Sequence, residues 1–438
     1  MPKVTDVSYL FYGCSALTSF GDVSFNLATD ATYLFRNCSS LTKIGNINLP
    51  QATNASYLLS GCKALTSVGN INLPKATNVS YLMGTDMSAS AYGICLLTSD
   101  HLGTITAPLA KNVSRMFRNC TGLTTIPLVI GTDFTDMSYM FAGCTSLTSL
   151  GSLTLSSTTV TNLEHMFDGC TNLTSVDISG LAGTVTGVAG MFYNCSQLGN
   201  VTLNAGLNTA SVTDMSGMFY HCSTMTAIDV SGFSTANVTN MKEMFRGCSG
   251  ITSLNLSGFN TAKVVDTEYM FDGCSALTTL GSGAKFTCTA LERCSYMFCN
   301  CSHLGNVDIS EMKGTLKAST TYSSPSLTKM FYNCSSMTTI RFNAALYTDG
   351  VYSYESIFEG CSSLTQLYVK GFYLGKWGSS DNTAVRFSRT MTNVKTGCVI
   401  HYSSVPSMGT HASSYDMPSM FAYYSSPSSS SFTWTTAN

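Results

Sequence analysis

A unit that recurs at intervals of mostly 24 to 27 residues constrains this chain more than any other feature of its sequence. The unit is clearest in residues 228–254, IDVSGFSTANVTNMKEMFRGCSGITSL, and it recurs from residue 4 to about residue 370. Nearly every unit carries one cysteine, which we take as position 0. These cysteines are Cys14, Cys38, Cys62, Cys120, Cys144, Cys170, Cys195, Cys222, Cys248, Cys274, Cys301, Cys334 and Cys361. Because equal units of this size bury a core by stacking on one another, the repeat predicts a solenoid.

Two positions in each unit carry residues typical of helix ends. Position −8 is mostly Asp or Asn, as in Asn54 and Asn240, whose side-chain oxygen can accept from a free N–H at a helix start. Position −1 is Gly or Asn in every cysteine-bearing unit except that of His221, and these residues accept the left-handed conformation that ends a helix. We therefore expect one helix of fewer than two turns between these positions.

Apolar residues recur at positions −7, −4, −3, 0 and +3, and then at +6 and often +8. The first four follow the helical period and the later ones follow the strand period. Position −3 is Phe in every cysteine-bearing unit but one, where Leu59 replaces it. The predicted fold class is an α/β solenoid, a leucine-rich-repeat array with one short parallel strand and one short helix per turn. We count about fourteen turns, including one led by Asn78 in which Asp86 takes the place of the cysteine.

The predicted domains are a solenoid over residues 1–370 and a C-terminal cap with a serine-rich tail over residues 371–438. Residues 84–108 lengthen the fourth turn, and residues 310–330 insert a loop rich in Ser and Thr. The ends of a solenoid expose its core unless they are covered. Because no cap precedes the first turn, we expect that turn to abut another domain or subunit.

Three segments carry a resemblance to a known family: Val176-Asp177-Ile178-Ser179, Asn237-Val238-Thr239-Asn240-Met241 and Met270-Phe271-Asp272-Gly273-Cys274. They resemble the strand, turn and Met-Phe-x-x-Cys elements of BspA-type leucine-rich-repeat proteins of bacterial surfaces. The resemblance covers about residues 4–370. It implies a non-enzymatic binding or adhesion solenoid that recognises a surface protein or glycan.

The resemblance also implies an extracellular or cell-surface protein. Because the start of the chain, MPKVTDVSYL, shows no apolar leader, we expect the leader to be absent or removed. The alternative is a virion component, such as a phage receptor-binding or decoration protein of the same fold. A structural spacer is the third hypothesis.

Charge and hydropathy limit the classes of partner that the chain is expected to bind. Charged residues make up 11% of the chain and the net charge is −2, against about 25% charged residues in an ordinary soluble domain. No basic block favours nucleic acid. No apolar run is long enough to insert into a membrane. The expected partner is thus a surface protein or glycan, with no nucleic acid and no membrane insertion.

Position +5 is mostly Ser, Thr or Asn, and it follows a column of Thr at position +4. A polar row along a parallel sheet is a candidate ligand platform. A solvated strand face requires the same residue types, so both interpretations stay open. The candidate platform residues are Ser149, Ser175, Asn200, Ser253, Thr279, Asn306 and Thr339.

Position −5 carries the second candidate, an aromatic flank beside the buried face. Its members are Tyr9, Tyr33, Tyr57, Tyr81, Tyr139, Tyr269 and Tyr296. Spaced aromatic rings beside hydroxyl groups can hold sugar rings. Packing between turns explains the column as well, and we favour it.

No catalytic, cofactor or metal site is predicted. The six histidines lie on different units, and no phosphate loop or nucleophile motif occurs. The cysteines at position 0 are expected to be buried core thiols. The one local cluster, Cys288, Cys294, Cys299 and Cys301, does not match paired zinc-ligand spacing. A disulfide through Cys299 is favoured over a metal there.

Overall fold

The computed structural model describes residues 3–85, 95–151, 153, 155–203, 207–282, 284–316, 327–343, 345–347, 355–370, 392–402 and 433–436. The chain divides into two compact units, Met1–Val212 and Thr213–Asn438. Within each unit the backbone winds as a parallel β-solenoid, with about 13 turns in the whole chain. Each turn contributes very short strands that pair with the neighbouring turns.

The first unit contains twelve short strands among its described residues. They are β1 (Ser19–Phe20), β2 (Val23–Ser24), β3 (Lys43–Ile44), β4 (Ile47–Asn48), β5 (Ser67–Val68), β6 (Ile71–Asn72), β7 (Ile105–Ala107), β8 (Leu128–Ile130), β9 (Ser156–Ser157), β10 (Ser175–Asp177), β11 (Gly180–Leu181) and β12 (Asn200–Thr202). Strands β2, β4, β6, β7 and β8 form one parallel sheet, and β1, β3 and β5 form another. Strand β9 pairs with β11, and β10 pairs with β12.

The second unit contains β13 (Val307–Ile309), β14 (Lys313–Thr315), β15 (Thr339–Asn343), β16 (Ala345–Tyr347), β17 (Gln366–Lys370), β18 (Val399–Tyr402) and β19 (Thr433–Thr436). Strands β13, β15, β17, β18 and β19 form a five-stranded parallel sheet. Buried Cys398 precedes β18, so this sheet includes strands beyond residue 370. Most of residues 371–438, and residues 317–326 of the predicted loop, lie outside the described residues. The boundary at residue 370 and the cap therefore stay predictions.

The prediction of one helix per turn is wrong. The residue at position −5 is left-handed in turn after turn, with φ of 59° at Tyr57 and 57° at Glu243, and such a residue interrupts an α-helix. Alternate N–H groups of the segment bond to the next turn rather than within the segment. Those of Met241, Glu243 and Phe245 each donate to a carbonyl of the next turn at 2.9 Å. The segment is a series of tight turns, and the one helical element among the described residues is the 3₁₀ helix Ser99–His101.

The residues that signalled helix caps still have local roles. Oδ1 of Asn240 accepts from the N–H of Lys242 at 3.0 Å, which starts the turn segment. Gly247 at position −1 is left-handed, with φ of 73°. Polar caps and a spacing of three and four residues thus suit successive tight turns as well as a helix.

The fourth turn keeps a cysteine, contrary to expectation. Cys95 is buried and forms a parallel bridge with Cys120, and its N–H donates to the carbonyl of Asn119 at 3.2 Å. Asp86 lies outside the described residues. The extra residues of this turn precede the cysteine, so counting from Asn78 assigned the position to the wrong residue.

A column of phenylalanines at position −3 forms the centre of the core. The fully buried rings are those of Phe35, Phe117, Phe134, Phe141, Phe167, Phe192, Phe219, Phe245, Phe271, Phe298, Phe331 and Phe358, all but Phe134 at this position. Neighbouring rings stack almost parallel, as Phe245 does on Phe271 with centroids 5.8 Å apart. Among the described residues, no helix has the length and hydrophobicity needed to cross a membrane.

Candidate binding surface

The cysteine column belongs to the same core: twelve of its thirteen members are buried, whereas Cys14 of the first turn is exposed. The thiol of Cys248 donates to the carbonyl of Phe219 in the preceding turn at 2.9 Å, and that of Cys62 donates to Phe35 at 3.2 Å. The same bond recurs in both units, as at Cys144 and Cys334. Burial raises the pKa of Cys248 to about 12, which keeps the thiol protonated.

All eighteen cysteines are thiols without a disulfide bond, so the disulfide considered for Cys299 is not formed. Cys288, Cys294, Cys299 and Cys301 are each buried. Burial raises the pKa of Cys288 to about 11. In the part of the chain that the structure describes, no three His, Cys, Asp or Glu side chains are grouped as metal ligands would be.

Two platform residues of the first unit face each other across paired strands. Ser175 of β10 lies opposite Asn200 of β12, and both side chains are exposed. Neither side chain hydrogen-bonds to another described residue. Ser149 is half-buried, and its hydroxyl accepts from the N–H of Gly151 at 3.3 Å.

The other platform residues lie in the second unit. Ser253 lies opposite Thr279, and both are exposed. The hydroxyl of Thr279 accepts from the N–H of Gly281 at 3.1 Å, whereas Ser253 has no side-chain hydrogen bond within the described chain. Oδ1 of Asn306 accepts from the N–H of Thr338 and of half-buried Thr339. The structure thus places six of the seven residues in three pairs: Ser175 with Asn200, Ser253 with Thr279, and Asn306 with Thr339.

The threonines at position +4 are exposed, and the hydroxyl groups of four of them, Thr42, Thr66, Thr174 and Thr278, donate to backbone carbonyls. Thr42 donates to the carbonyl of Thr18 at 2.8 Å, and Thr278 donates to that of Thr252 at 2.8 Å. These bonds tie each turn to the one before it. Only the remaining lone pairs of these hydroxyls can serve a ligand.

The tyrosines at position −5 form stacks. Tyr9, Tyr33, Tyr57 and Tyr81 stack in succession, with centroids 4.6, 4.7 and 4.3 Å apart. Both faces of Tyr33 and Tyr57 are therefore covered by neighbouring rings, which leaves only ring edges and hydroxyls toward solvent. The guanidinium of Arg36 lies over Tyr57 at 4.7 Å.

The remaining flank residues form shorter stacks. Tyr139 packs on the ring of His165 at 4.7 Å, and the guanidinium of Arg115 lies 4.4 Å from its centroid. In the second unit, Tyr269 stacks on Tyr296 at 4.6 Å. The flank consists of these three groups. Gly190 and Gly217, which occupy the same position in other turns, are the sequence signal for its left-handed backbone.

Charged pairs lie between residues 240 and 296 of the second unit. Nε of Arg293, at position −8 of its turn, lies 2.6 Å from Oδ2 of Asp266. Arg246 pairs with Glu243 at 2.8 Å and with Asp272 at 3.1 Å. Nζ of Lys242 lies 3.3 Å from the fully buried carboxylate of Glu268, without the geometry of a hydrogen bond.

A further row on the second unit's five-stranded sheet was not predicted. Asp308, Arg341, Tyr368, His401 and Thr435 occupy equivalent places on β13, β15, β17, β18 and β19. The sequence signal is position +7, where Asp308 gives way to Arg341 and then Tyr368. His401 was not predicted to join this row because residues 371–397, which precede its strand, do not show the repeat unit.

Two family models match the chain. Residues 5–82 and 294–380 match the BspA type leucine rich repeat region. Residues 111–225 and 186–312 match a family described as a Mycoplasma protein of unknown function, DUF285. The chain is a leucine-rich-repeat protein of the BspA type. No curated protein matches its sequence significantly.

Several solved leucine-rich-repeat structures also match this BspA-type chain. A protein from Bacteroides ovatus is 16% identical, with 83% of this chain and 81% of that chain covered and a TM-score of 0.42. A cell surface protein from Faecalibacterium prausnitzii is 15% identical, with 88% of each chain covered and a TM-score of 0.27. A Leptospira interrogans protein is 12% identical over 84% of this chain and 91% of that chain, with a TM-score of 0.25. Because these similarities are low, the description of the surface rests on this chain's own residues.

Proposed function

We propose that this BspA-type protein is a non-enzymatic adhesion protein of the cell surface whose exposed strand face binds a surface protein or a glycan. The observation that carries the proposal is the pair of exposed side chains at Ser175 and Asn200, side by side on paired parallel strands. Leucine-rich-repeat solenoids are typically binding scaffolds, and an open row of unpaired hydroxyl and amide groups is suited to hydrogen-bonding a ligand.

The rest of the molecular surface offers less to a ligand. Several Thr hydroxyls at position +4, such as those of Thr42 and Thr278, donate to backbone carbonyls. Neighbouring rings cover both faces of Tyr33 and Tyr57. Ser175 and Asn200 of the first unit keep their polar groups available on paired strands, and so does Ser253 in the second unit. A ligand held by Ser175 and Asn200 would contact two turns at once, which gives affinity without a deep pocket.

The test introduces bulk and charge on that face. Ser175→Lys combined with Asn200→Lys should abolish binding to an array of immobilised glycans and matrix proteins that the unchanged protein recognises. Thr158→Lys is the matched control, because Thr158 is exposed in the same unit and lies outside the +5 row. All three side chains are exposed, so the free energy of unfolding should change by less than about 0.5 kcal/mol in each variant.

Retained binding by the folded double variant would place the ligand elsewhere and overturn the proposal. A failure of the unchanged protein to bind any glycan or matrix protein would favour the structural-spacer hypothesis instead.

A further inference from the structure

The five-stranded sheet of the second unit carries a row of side chains that four successive strands assemble. Its centre is the phenol ring of Tyr368 on β17. The guanidinium of Arg341 on β15 lies 4.0 Å from the Tyr368 centroid, and the imidazole of His401 on β18 stacks at 4.1 Å with an interplanar angle of 7°. Arg341 is exposed, while Tyr368 and His401 are half-buried.

Hydrogen bonds hold His401 in this arrangement. Its Nε2 lies 2.6 Å from Oε1 of Gln366, and its Nδ1 lies 2.8 Å from the hydroxyl of Thr435. Because an amide oxygen can only accept, Nε2 carries a proton and Nδ1 accepts from the Thr435 hydroxyl in the neutral ring. Burial, and then the charge of Arg341, lower the pKa of His401, which leaves Arg341 as the cation of the row at neutral pH.

The guanidinium of Arg341 is oriented but not neutralised. Its central carbon lies over the Tyr368 ring, and its N–H groups make no hydrogen bond or ion pair with the described residues. Asp308, opposite Arg341 on β13, instead accepts from the N–H of Ser310 at 2.9 Å. A guanidinium held over a ring with open N–H groups matches the two oxygens of a carboxylate.

We infer that Arg341, Tyr368 and His401 form a binding site for a carboxylate-bearing sugar, with Arg341 pairing the carboxylate. This inference rests on the proposed glycan-binding function and names the class of glycan. Both faces of Tyr368 are covered by its neighbours, so a neutral sugar cannot stack on that ring. The guanidinium therefore decides recognition, while the amide of Gln366 and the hydroxyl of Thr435 supply polar groups beside it for sugar hydroxyls.

The test uses soluble sugars in two pairs that differ in the carboxylate. Sialyllactose against lactose probes a sialic acid, and trigalacturonate against its methyl ester probes a uronic acid. Titration calorimetry of the full chain should show binding of at least one acidic sugar and at least tenfold weaker binding of its uncharged counterpart.

Three variants within the row and one control outside it test whether the row binds the sugar. Arg341→Met should weaken it at least tenfold, and Arg341→Lys should restore it only in part because the planar fork is lost. Lys263→Met is the matched control, since it removes one exposed positive charge elsewhere in the same unit and should change the affinity less than twofold. Asp308→Asn should strengthen binding two- to fivefold by removing the neighbouring negative charge.

Two results would overturn the inference: no binding of either acidic sugar, or equal affinity for Arg341→Met and the unchanged protein. If the unchanged protein still binds the glycan and matrix array through Ser175 and Asn200, only the inference about the Arg341 site is wrong. If the unchanged protein binds neither the acidic sugars nor the array, the proposed adhesion function is wrong as well.

Discussion

The outer side of the tight turns is built from different side chains in the two units. Between Tyr9 and Tyr81 of the first unit, aromatic rings stack on each other from turn to turn. In the second unit, between residues 240 and 296, ion pairs such as Arg293 with Asp266 and Arg246 with Asp272 link successive turns. The backbone is the same in both, with left-handed residues at Tyr57 and Glu243 and the same hydrogen bonds between turns.

The difference shows that one backbone conformation accepts two side-chain chemistries on the outer side of the turns. In the first unit, rings at position −5 stack on the rings of adjacent turns. In the second unit, the ion pairs join residues at positions −8 and −2 of adjacent turns. The two regions should therefore respond differently to mutation, while their common core should respond alike.

The largest expected effect lies in the core that both regions share. Phe35→Ala in the first unit and Phe245→Ala in the second should each lower the free energy of unfolding by about 3–5 kcal/mol, because each leaves a cavity in a stacked column. Chemical denaturation would measure each loss of free energy, and hydrogen exchange would show which unit is destabilised. Ser253→Ala, at an exposed position, is the control. A loss below about 1 kcal/mol in one unit would show that its phenylalanine column is not close-packed.

The next largest effect should appear among the ion pairs. Arg293→Leu leaves the carboxylate of Asp266, 6% exposed, without its cation. We expect a loss of about 2–3 kcal/mol in the free energy of unfolding, below the usual loss for a fully buried pair because Arg293 is partly exposed.

Asp266→Asn in the Arg293→Leu background should recover most of that loss. It removes the buried charge and keeps the acceptor for the N–H of Glu268. If the double variant is no more stable than Arg293→Leu, the unpaired charge is not the cause of the loss.

The smallest effect belongs to the tyrosine stack. Tyr57→Leu keeps an apolar side chain but loses two ring contacts, and it should cost about 0.5–1.5 kcal/mol in the free energy of unfolding. Tyr57→Phe, which keeps the ring and its two stacking contacts, is the control and should cost less than Tyr57→Leu. The loss should be the same at low and at high salt, since stacking is not screened. A loss that shrinks at high salt would mean that the Arg36–Tyr57 contact, rather than ring stacking, holds the turns.

Much of the fold could be predicted from single positions of the repeat. Phe at −3 and Cys at 0 are core residues because successive turns place them at the same depth, and strands that successive turns contribute can pair only in parallel. The helix could not be predicted correctly. Apolar residues at Met241, Met244, Phe245 and Cys248 fit the helical period, but the left-handed residue Glu243 bends the chain so that its N–H groups bond to the next turn.

The candidate platform shows a similar division. The outward position of Ser175 and Ser253 follows from strand alternation, which is a local property. Which of those side chains stay available was not predictable. Asn306 looks equivalent to Asn200 in the sequence, yet its amide oxygen accepts two N–H groups of the following turn.

The sequence by itself determined the repeat, the buried columns and the parallel stacking, because these follow from residue types that recur at the same positions of successive units. Only the tertiary structure decided that Cys95 completes the fourth turn and that Arg341, Tyr368, His401 and Thr435 form one row. Both features depend on which residue rejoins the stacked turns after an inserted segment. The sequence of the insertion does not identify that residue, because hydrogen bonds with the adjoining turns select it.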